Sequence, residues 1–237
     1  SDTILVSRAD DEQGADSSSS LPSLNWDGTV VAFASLATNL VGAGADGNGV
    51  RDVYVRDLTA GTTVAASRAD GAGGAFGSGA STMPSLDGDG DTVAFATAAT
   101  NFGGPGGTSD VAIRELATAD TTAVGSGGRE EQPSISDNGM RVALVSNASL
   151  AGPADTTSSD DIYVYDRTGA TFTFASRATG AGGIGGDLTS GGNVIAGEGP
   201  SLSGNGDCVV FPSTATNLDP DWSATGVQLG YLRTVGT

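Results

Sequence analysis

One phrase is written four times along this chain: PSLNWDGTVVAFAS from Pro22, PSLDGDGDTVAFAT from Pro84, PSISDNGMRVALVS from Pro133 and PSLSGNGDCVVFPS from Pro200. Each copy sets Gly six residues after the Pro (Gly28, Gly90, Gly139, Gly206) and a large apolar residue eleven after it (Phe33, Phe95, Leu144, Phe211). Self-similarity at this period means a repeat architecture, in which neighbouring units hide each other's apolar faces. The Pro-to-Pro spacings are 62, 49 and 67, and the residues after Pro200 together with those up to Pro22 make a fourth unit of comparable length.

Within a unit, a short strand after the Pro leads to a tight turn: Trp26-Asp27-Gly28, Gly88-Asp89-Gly90, Asp137-Asn138-Gly139 or Gly204-Asn205-Gly206. Asp-Gly and Asn-Gly supply the positive φ of hairpin turns. The next strand alternates, with Val31 and Phe33, Val93 and Phe95, Val142 and Leu144, Val209 and Phe211 on one side, a period of two and hence β. A third strand reads DVYVRD from Asp52, DVAIRE from Asp110, DIYVYD from Asp161 and a degenerate GYLRT from Gly230. A fourth ends VAASRA at Ala69, TAVGS at Ser126 and FASRA at Ala178.

Four antiparallel strands per unit without helical periodicity predict an all-β, four-bladed β-propeller, although a two-chain ring of eight blades or a fragment of a longer array would have the same repeats. Its blades span about 21–69, 82–126, 131–178 and 198–235. The fourth unit lacks an outer strand, and TILVSRA at residues 3–9 ends in the same SRA, so this N-terminal strand is expected to complete the last blade and close the ring. Ile4, Leu5 or Val6 would then be buried against the strand around Tyr231 and Leu232. Trp26, in its tight turn, is expected to cover the edge of the core.

The phrases PSLSGNG and PSISDNG, the DVYV third strand and SRA resemble the WD40-like repeats of TolB-type β-propellers, over essentially the whole chain. The resemblance implies the fold. For function it implies a class that contains partner-binding domains and domains appended to enzymes.

Acidic residues number 28 and basic ones 10, every one of them Arg, giving a net charge of −18. Nucleic acid and anionic membranes would be repelled, whereas cationic partners and divalent metals would not. His and Lys are absent. This removes Ser-His-Asp chemistry, an imidazole base, Schiff bases and His-ligated zinc. The lone Cys208 excludes an intrachain disulfide and reads as packing. No apolar run is long enough to span a bilayer.

Tight turns join the first strand to the second and the third to the fourth, so the two long classes of connection emerge on the opposite face, where binding residues concentrate. On that face Asp46, Asn48 and Asp52, and Asp155, Asp160 and Asp161, are candidate oxygen ligands for Ca²⁺. Asp52, Asp110 and Asp161 recur at the start of the third strand, which also fits caps for loop amides. Asp219, Asp221 and Trp222 form a candidate ligand site, since an aromatic beside carboxylates can stack on a sugar. Glu131 and Glu198 stand near the channel mouth, where paired carboxylates do acid/base work or bind an ion. DGDGD at 87–91 resembles a calcium loop but falls in register with the other hairpin turns, which favours a structural role.

These readings predict a non-catalytic, exported propeller, secreted, periplasmic or at the cell surface, that presents an acidic loop face to a protein or surface glycan. The alternatives are a subunit of a surface assembly or homo-oligomer, and a Ca-dependent lectin-like or glycan-active protein.

Overall fold

The computed structural model describes residues 2–42, 45–105, 108–152, 155, 158–179, 183–191, 198–222 and 225–235. Fifteen strands form four antiparallel sheets, one per repeat. Blade 1 holds β1 (Ser19–Leu24), β2 (Val30–Ser35), β3 (Asp52–Asp57) and β4 (Thr62–Ala65). Blade 2 holds β5 (Ser81–Leu86), β6 (Thr92–Thr97), β7 (Asp110–Glu115) and β8 (Asp120–Val124). Blade 3 holds β9 (Glu130–Ile135), β10 (Arg141–Ser146), β11 (Asp161–Asp166) and β12 (Thr171–Phe174). Blade 4 has three strands: β13 (Ser201–Leu202), β14 (Cys208–Ser213) and β15 (Leu229–Thr234). No helix among the described residues is long and apolar enough to cross a membrane.

The alternation puts a small residue on one side of each second strand and a large one on the other, and successive blades interlock through them. Ala32, Val53 and Val55 of blade 1 bury against Val93 and Phe95 of blade 2. Ala94, Val111 and Ile113 meet Val142 and Leu144 of blade 3, and Ala143, Ile162 and Val164 meet Val209 and Phe211 of blade 4. These apolar seams are the core of the molecule and the largest source of its stability.

The Pro-Ser phrase has a specific task at each seam. The residue before the Pro takes a positive φ in the first three blades (Leu21 53°, Met83 52°, Gln132 53°), where the inner strand bulges. The serine hydroxyl after the Pro then accepts the amide of the next blade's inner strand: Leu86 N to Ser23 Oγ at 3.0 Å, Ile135 N to Ser85 Oγ at 3.1 Å, Leu202 N to Ser134 Oγ at 3.0 Å. The hairpin turns form a second ladder, from the Trp26 amide to the Gly88 carbonyl, Gly88 to Asp137 and Asp137 to Gly204.

The SRA phrase is a clasp. The Arg56 guanidinium is wholly buried and donates to the Ala9 carbonyl (3.2 Å) and Thr63 Oγ1 (3.1 Å), while Thr63 Oγ1 donates to the Arg8 carbonyl (2.6 Å) and the Thr63 amide to Asp10 (2.6 Å). One blade on, Arg114 and Thr121 make the same contacts with Arg68, Ala69 and Asp70. Arg233 donates to the carbonyls of Arg177 and Ala178. Blade 3 has Tyr165 where the others have Arg, packed on Phe172 with ring centroids 4.9 Å apart, and no SRA precedes that blade.

Two expectations are corrected. Residues 3–6 form no strand, Ile4 and Leu5 are 53% and 56% exposed, and Leu232 is 67% exposed, so the N-terminal segment does not complete blade 4 within this chain. The physical reason is that residues 7–16 are fastened to blade 1 by its clasp and by the Asp16 carboxylate, which accepts the Thr38 amide and hydroxyl. No hydrogen bond or ion pair between described residues joins blade 4 to blade 1 or to the N-terminal segment. Trp26 covers nothing: its side chain is 85% exposed, while the backbone of its turn is held to blade 2 through the Gly88 carbonyl.

Candidate functional site

The four hairpin turns are closed by the residue three after each Pro. Asn25 Oδ1 accepts the amides of Thr29 and Val30, Asp87 Oδ1 those of Gly90, Asp91 and Thr92, Ser136 Oγ that of Arg141 and Ser203 Oγ that of Cys208. DGDGD is thus one version of a turn cap, and the opposite face carries the long loops.

On that loop face the acids of blades 1 and 3 turn inward. Asp52 Oδ1 accepts from Ser67 Oγ (2.6 Å), whose oxygen accepts the Val53 amide (2.9 Å), and Asn48 donates to Asp52 Oδ2 (2.8 Å). Asp161 repeats this with Ser176 (2.6 Å) and the Ile162 amide (2.9 Å). In blades 1 and 3 the aspartate that opens the third strand therefore anchors the exit of the fourth through a serine. Burial pushes the Asp52 carboxyl up to about 6, against the hydrogen bonds from Ser67 and Asn48. Asp46 and Asp155 accept from the phenols of Tyr54 and Tyr163, both at 2.5 Å, which pins each long loop onto its own blade. Burial, and then the aspartate partners, raise both phenols far above their ordinary range.

Asp160 is held by Arg129, whose Nη2 lies 2.5 Å from its carboxylate, and the same guanidinium reaches Glu131 at 3.4 Å. This Arg129 bridge between the β10–β11 loop and β9 was not foreseen; two acids flanking the chain's path around one of only ten Arg residues was the available signal. Among the described residues no three carboxylate, Cys or His groups come together in a way that could hold a metal ion.

Blade 2 departs from the pattern. Gly125 stands where the other blades have Ser67 and Ser176, and Glu130 reaches from β9 into the space, so that a Cβ on Gly125 would lie 2.7 Å from Glu130 Oε2 and 3.0 Å from Asp110 Oδ1. Burial raises the Glu130 pKa, although Ser146 Oγ donates to it at 3.0 Å.

The β14–β15 loop of blade 4 differs in another way. Tyr231 keeps the bond from its phenol to the Ala215 carbonyl (3.3 Å), matching Tyr54 to Ala37 (3.2 Å), but among the described residues no aspartate joins it. Asp219 and Asp221 are exposed, tied only in a local turn in which the Asp221 amide donates to Asp219 Oδ1 (2.9 Å), and Trp222 is 63% exposed beside them. Glu198 is exposed and accepts from Gln228 at the foot of the same loop (3.2 Å). Asp219, Asp221 and Trp222 are therefore together and outward-facing, whereas Glu131 lies in the Arg129 bridge.

No family model matches the sequence, and no curated protein matches it. Among solved structures the chain is similar to TolB from Acinetobacter baumannii, with 15% identity, a TM-score of 0.55 and coverage of 94% of this chain and 42% of that one. It is also similar to the tricorn protease, with 15% identity, a TM-score of 0.51 and coverage of 90% of this chain and 17% of that one. The fold is that of a TolB-like β-propeller. The chain spans less than half of the length of the TolB structure it matches.

Proposed function

We propose that this protein is a non-catalytic binding propeller that uses the β14–β15 loop of its long-loop face, at residues 214–228, to grip a partner protein through cationic side chains. One contrast carries the reading. The long second-to-third-strand loops of blades 1 and 3 spend an aspartate on a buried tyrosine, and the corresponding loop of blade 4 leaves Asp219, Asp221 and Trp222 facing solvent. An indole face attracts an Arg or Lys head, flanking carboxylates add charge-assisted hydrogen bonds, and a chain of net charge −18 steers cations toward it. The TolB-like fold supports a binding or scaffold role, and the resemblance to TolB-type repeats supports reading it as an exported protein, secreted, periplasmic or at the cell surface.

Titration of the chain with an Arg-rich peptide, and separately with neutral polysaccharides, tests the assignment. Replacing Asp219, Asp221 and Trp222 together with Ala should weaken peptide binding by roughly tenfold or more. Unchanged peptide affinity in that variant would refute it, and saturable binding of a neutral polysaccharide abolished by Trp222→Ala would favour the glycan reading.

A further inference from the structure

At the head of each blade, the side chain that faces the end of the second strand is a serine in three blades and an acid in one. Ser19, Ser81 and Ser190 share hydrogen bonds with Ser35, Thr97 and Ser213 at 3.0, 2.9 and 2.8 Å. In blade 3 the place belongs to Glu130, whose Oε1 accepts from Ser146 Oγ at 3.0 Å. The backbone at this point ties each blade to the one before it. The amides of Ser81, Glu130 and Ser190 donate across the three seams to the carbonyls of Arg51, Ser109 and Asp160, at 2.7, 3.1 and 2.7 Å.

A second departure faces the first. Ser67 and Ser176 donate to the aspartates that open β3 and β11, and the same place in blade 2 is Gly125, which has no hydroxyl. Glu130 reaches into the space this leaves: its Oε2 and Asp110 Oδ1 lie 2.7 and 3.0 Å from where a Cβ on Gly125 would stand. Glu130 is wholly buried, and its Oε2 has no hydrogen-bond partner. A carboxylate placed there, beside a second one, loses more on leaving water than it recovers unless it takes a proton. Burial most of all, with the Asp110 charge, raises the Glu130 pKa against the Ser146 hydroxyl and the Ser126 and Gly128 amides. Asp110 is the charged group that faces it. Arg129 and Glu131, its neighbours in sequence, are tied to each other and, through Arg129, to Asp160, and Asp161 on β11 is turned to Ser176. The strand β10 and the exit of β8 bring the uncharged Ser146, Asn147 and Ser126.

We propose that Glu130 is a pH-operated latch on the seam between blades 2 and 3. With its proton, the Glu130 O–H supplies to Asp110 the donation that serine hydroxyls supply in blades 1 and 3, and the head of β9 stays on β7. Without it, two carboxylates oppose each other inside the seam, and the bond from the Glu130 amide to Ser109 is weakened. The Arg129 bridge adjoins this bond, so opening the latch also loosens the hold of β9 on the β10–β11 loop. The sign is fixed by the raised folded pKa: the latch's stabilisation is full below the unfolded value and is lost as pH rises through the folded one.

The chain has five glutamates, Glu12, Glu115, Glu130, Glu131 and Glu198. Isotope-labelled glutamate in the full chain therefore gives five side-chain carboxyl signals in nuclear magnetic resonance, each assigned through its own backbone amide. The Glu130 signal is expected to titrate last of the five as pH rises. Amide hydrogen exchange supplies the second reading, as the protection of the amide at position 130 relative to that of Ser81, which makes the same bond across the first seam; the ratio cancels the base catalysis common to both. It is expected to fall several-fold as pH passes the Glu130 midpoint, and to stay level in Glu130→Gln. Titration of Glu130 together with the other glutamates would overturn the proposal. Late titration with a level protection ratio would overturn the latch and leave only a buried acid. Late titration seen only after chelation of Ca²⁺ would overturn it in favour of a cation in the space over Gly125. Both readings on the unmodified chain decide the matter even where Glu130→Gln fails to fold.

Discussion

At the scale of single residues, the loop face is held by carboxylates that the fold removes from water, and this has a signed consequence for pH. Asp52 has its pKa raised to about 6 in the folded chain, chiefly by burial, so between the unfolded value near ~4 and that value the folded state holds more protons than the unfolded one. The stabilisation this gives is full below the unfolded pKa and is lost as pH rises through about 6. The opposite holds for Asp16 and Asp187, whose pKa values are lowered by the Thr38 and Thr216 hydrogen bonds and whose contribution is lost on acidification through their depressed values. The melting temperature should therefore rise when pH falls from 7.5 to 5, and the rise should be smaller in Asp52→Asn; an equal rise in both proteins would disprove the role of this group. A second residue-level contrast concerns two turn glycines with the same φ of 77°. A methyl on Gly28 meets only Leu24 at 4.0 Å, whereas one on Gly90 would press on Val30 of blade 1 at 2.8 Å. Gly28→Ala should cost about 1 kcal/mol from backbone strain alone, and Gly90→Ala clearly more, as read by urea unfolding.

At the scale of the element, the unit of construction is a blade together with the clasp that ties it to the chain entering it. Arg114 donates to the carbonyls of Arg68, Ala69 and Gly71 and to Thr121. Arg114→Ala should cost about 2–4 kcal/mol, because buried carbonyls lose their donor. Arg129→Ala, at a partly exposed bridge, should cost less than about 1 kcal/mol. Equal losses in the two variants, measured by chemical unfolding, would mean that the clasp is not a main fastening between blades 1 and 2. The strands and hairpin turns could be read from the sequence because neighbouring residues determine them: alternation at Val93 and Phe95, and Asp-Gly or Asn-Gly in the turns. The clasp was present in the sequence only as a correlation between positions more than forty residues apart, SRA upstream and Arg on the next third strand, and SRA was read merely as the end of a strand. The inward turn of Asp46 and Asp155 was hidden for a similar reason, since it depends on Tyr54 and Tyr163, eight residues downstream across a loop, meeting them over the same blade.

At the scale of the whole molecule, ring closure could not be read from repeats at all, because it depends on how much each of three seams turns one blade relative to the next. What the seams do determine is how stability is distributed along the array. In a stack where each unit is held only by its neighbours, a blade packed on both sides is stabilised by two seams and an end blade by one. Blades 2 and 3 are the doubly packed ones. Blade 4 has one seam, a two-residue inner strand in β13 and an exposed β15 with alternate residues in water. Local opening follows this gradient, so amide hydrogen exchange should be slowest in β6, β7 and β10 and fastest, among the strands, in β13 and β15. Uniform protection across all four blades at low concentration would contradict the seam-by-seam account of stability.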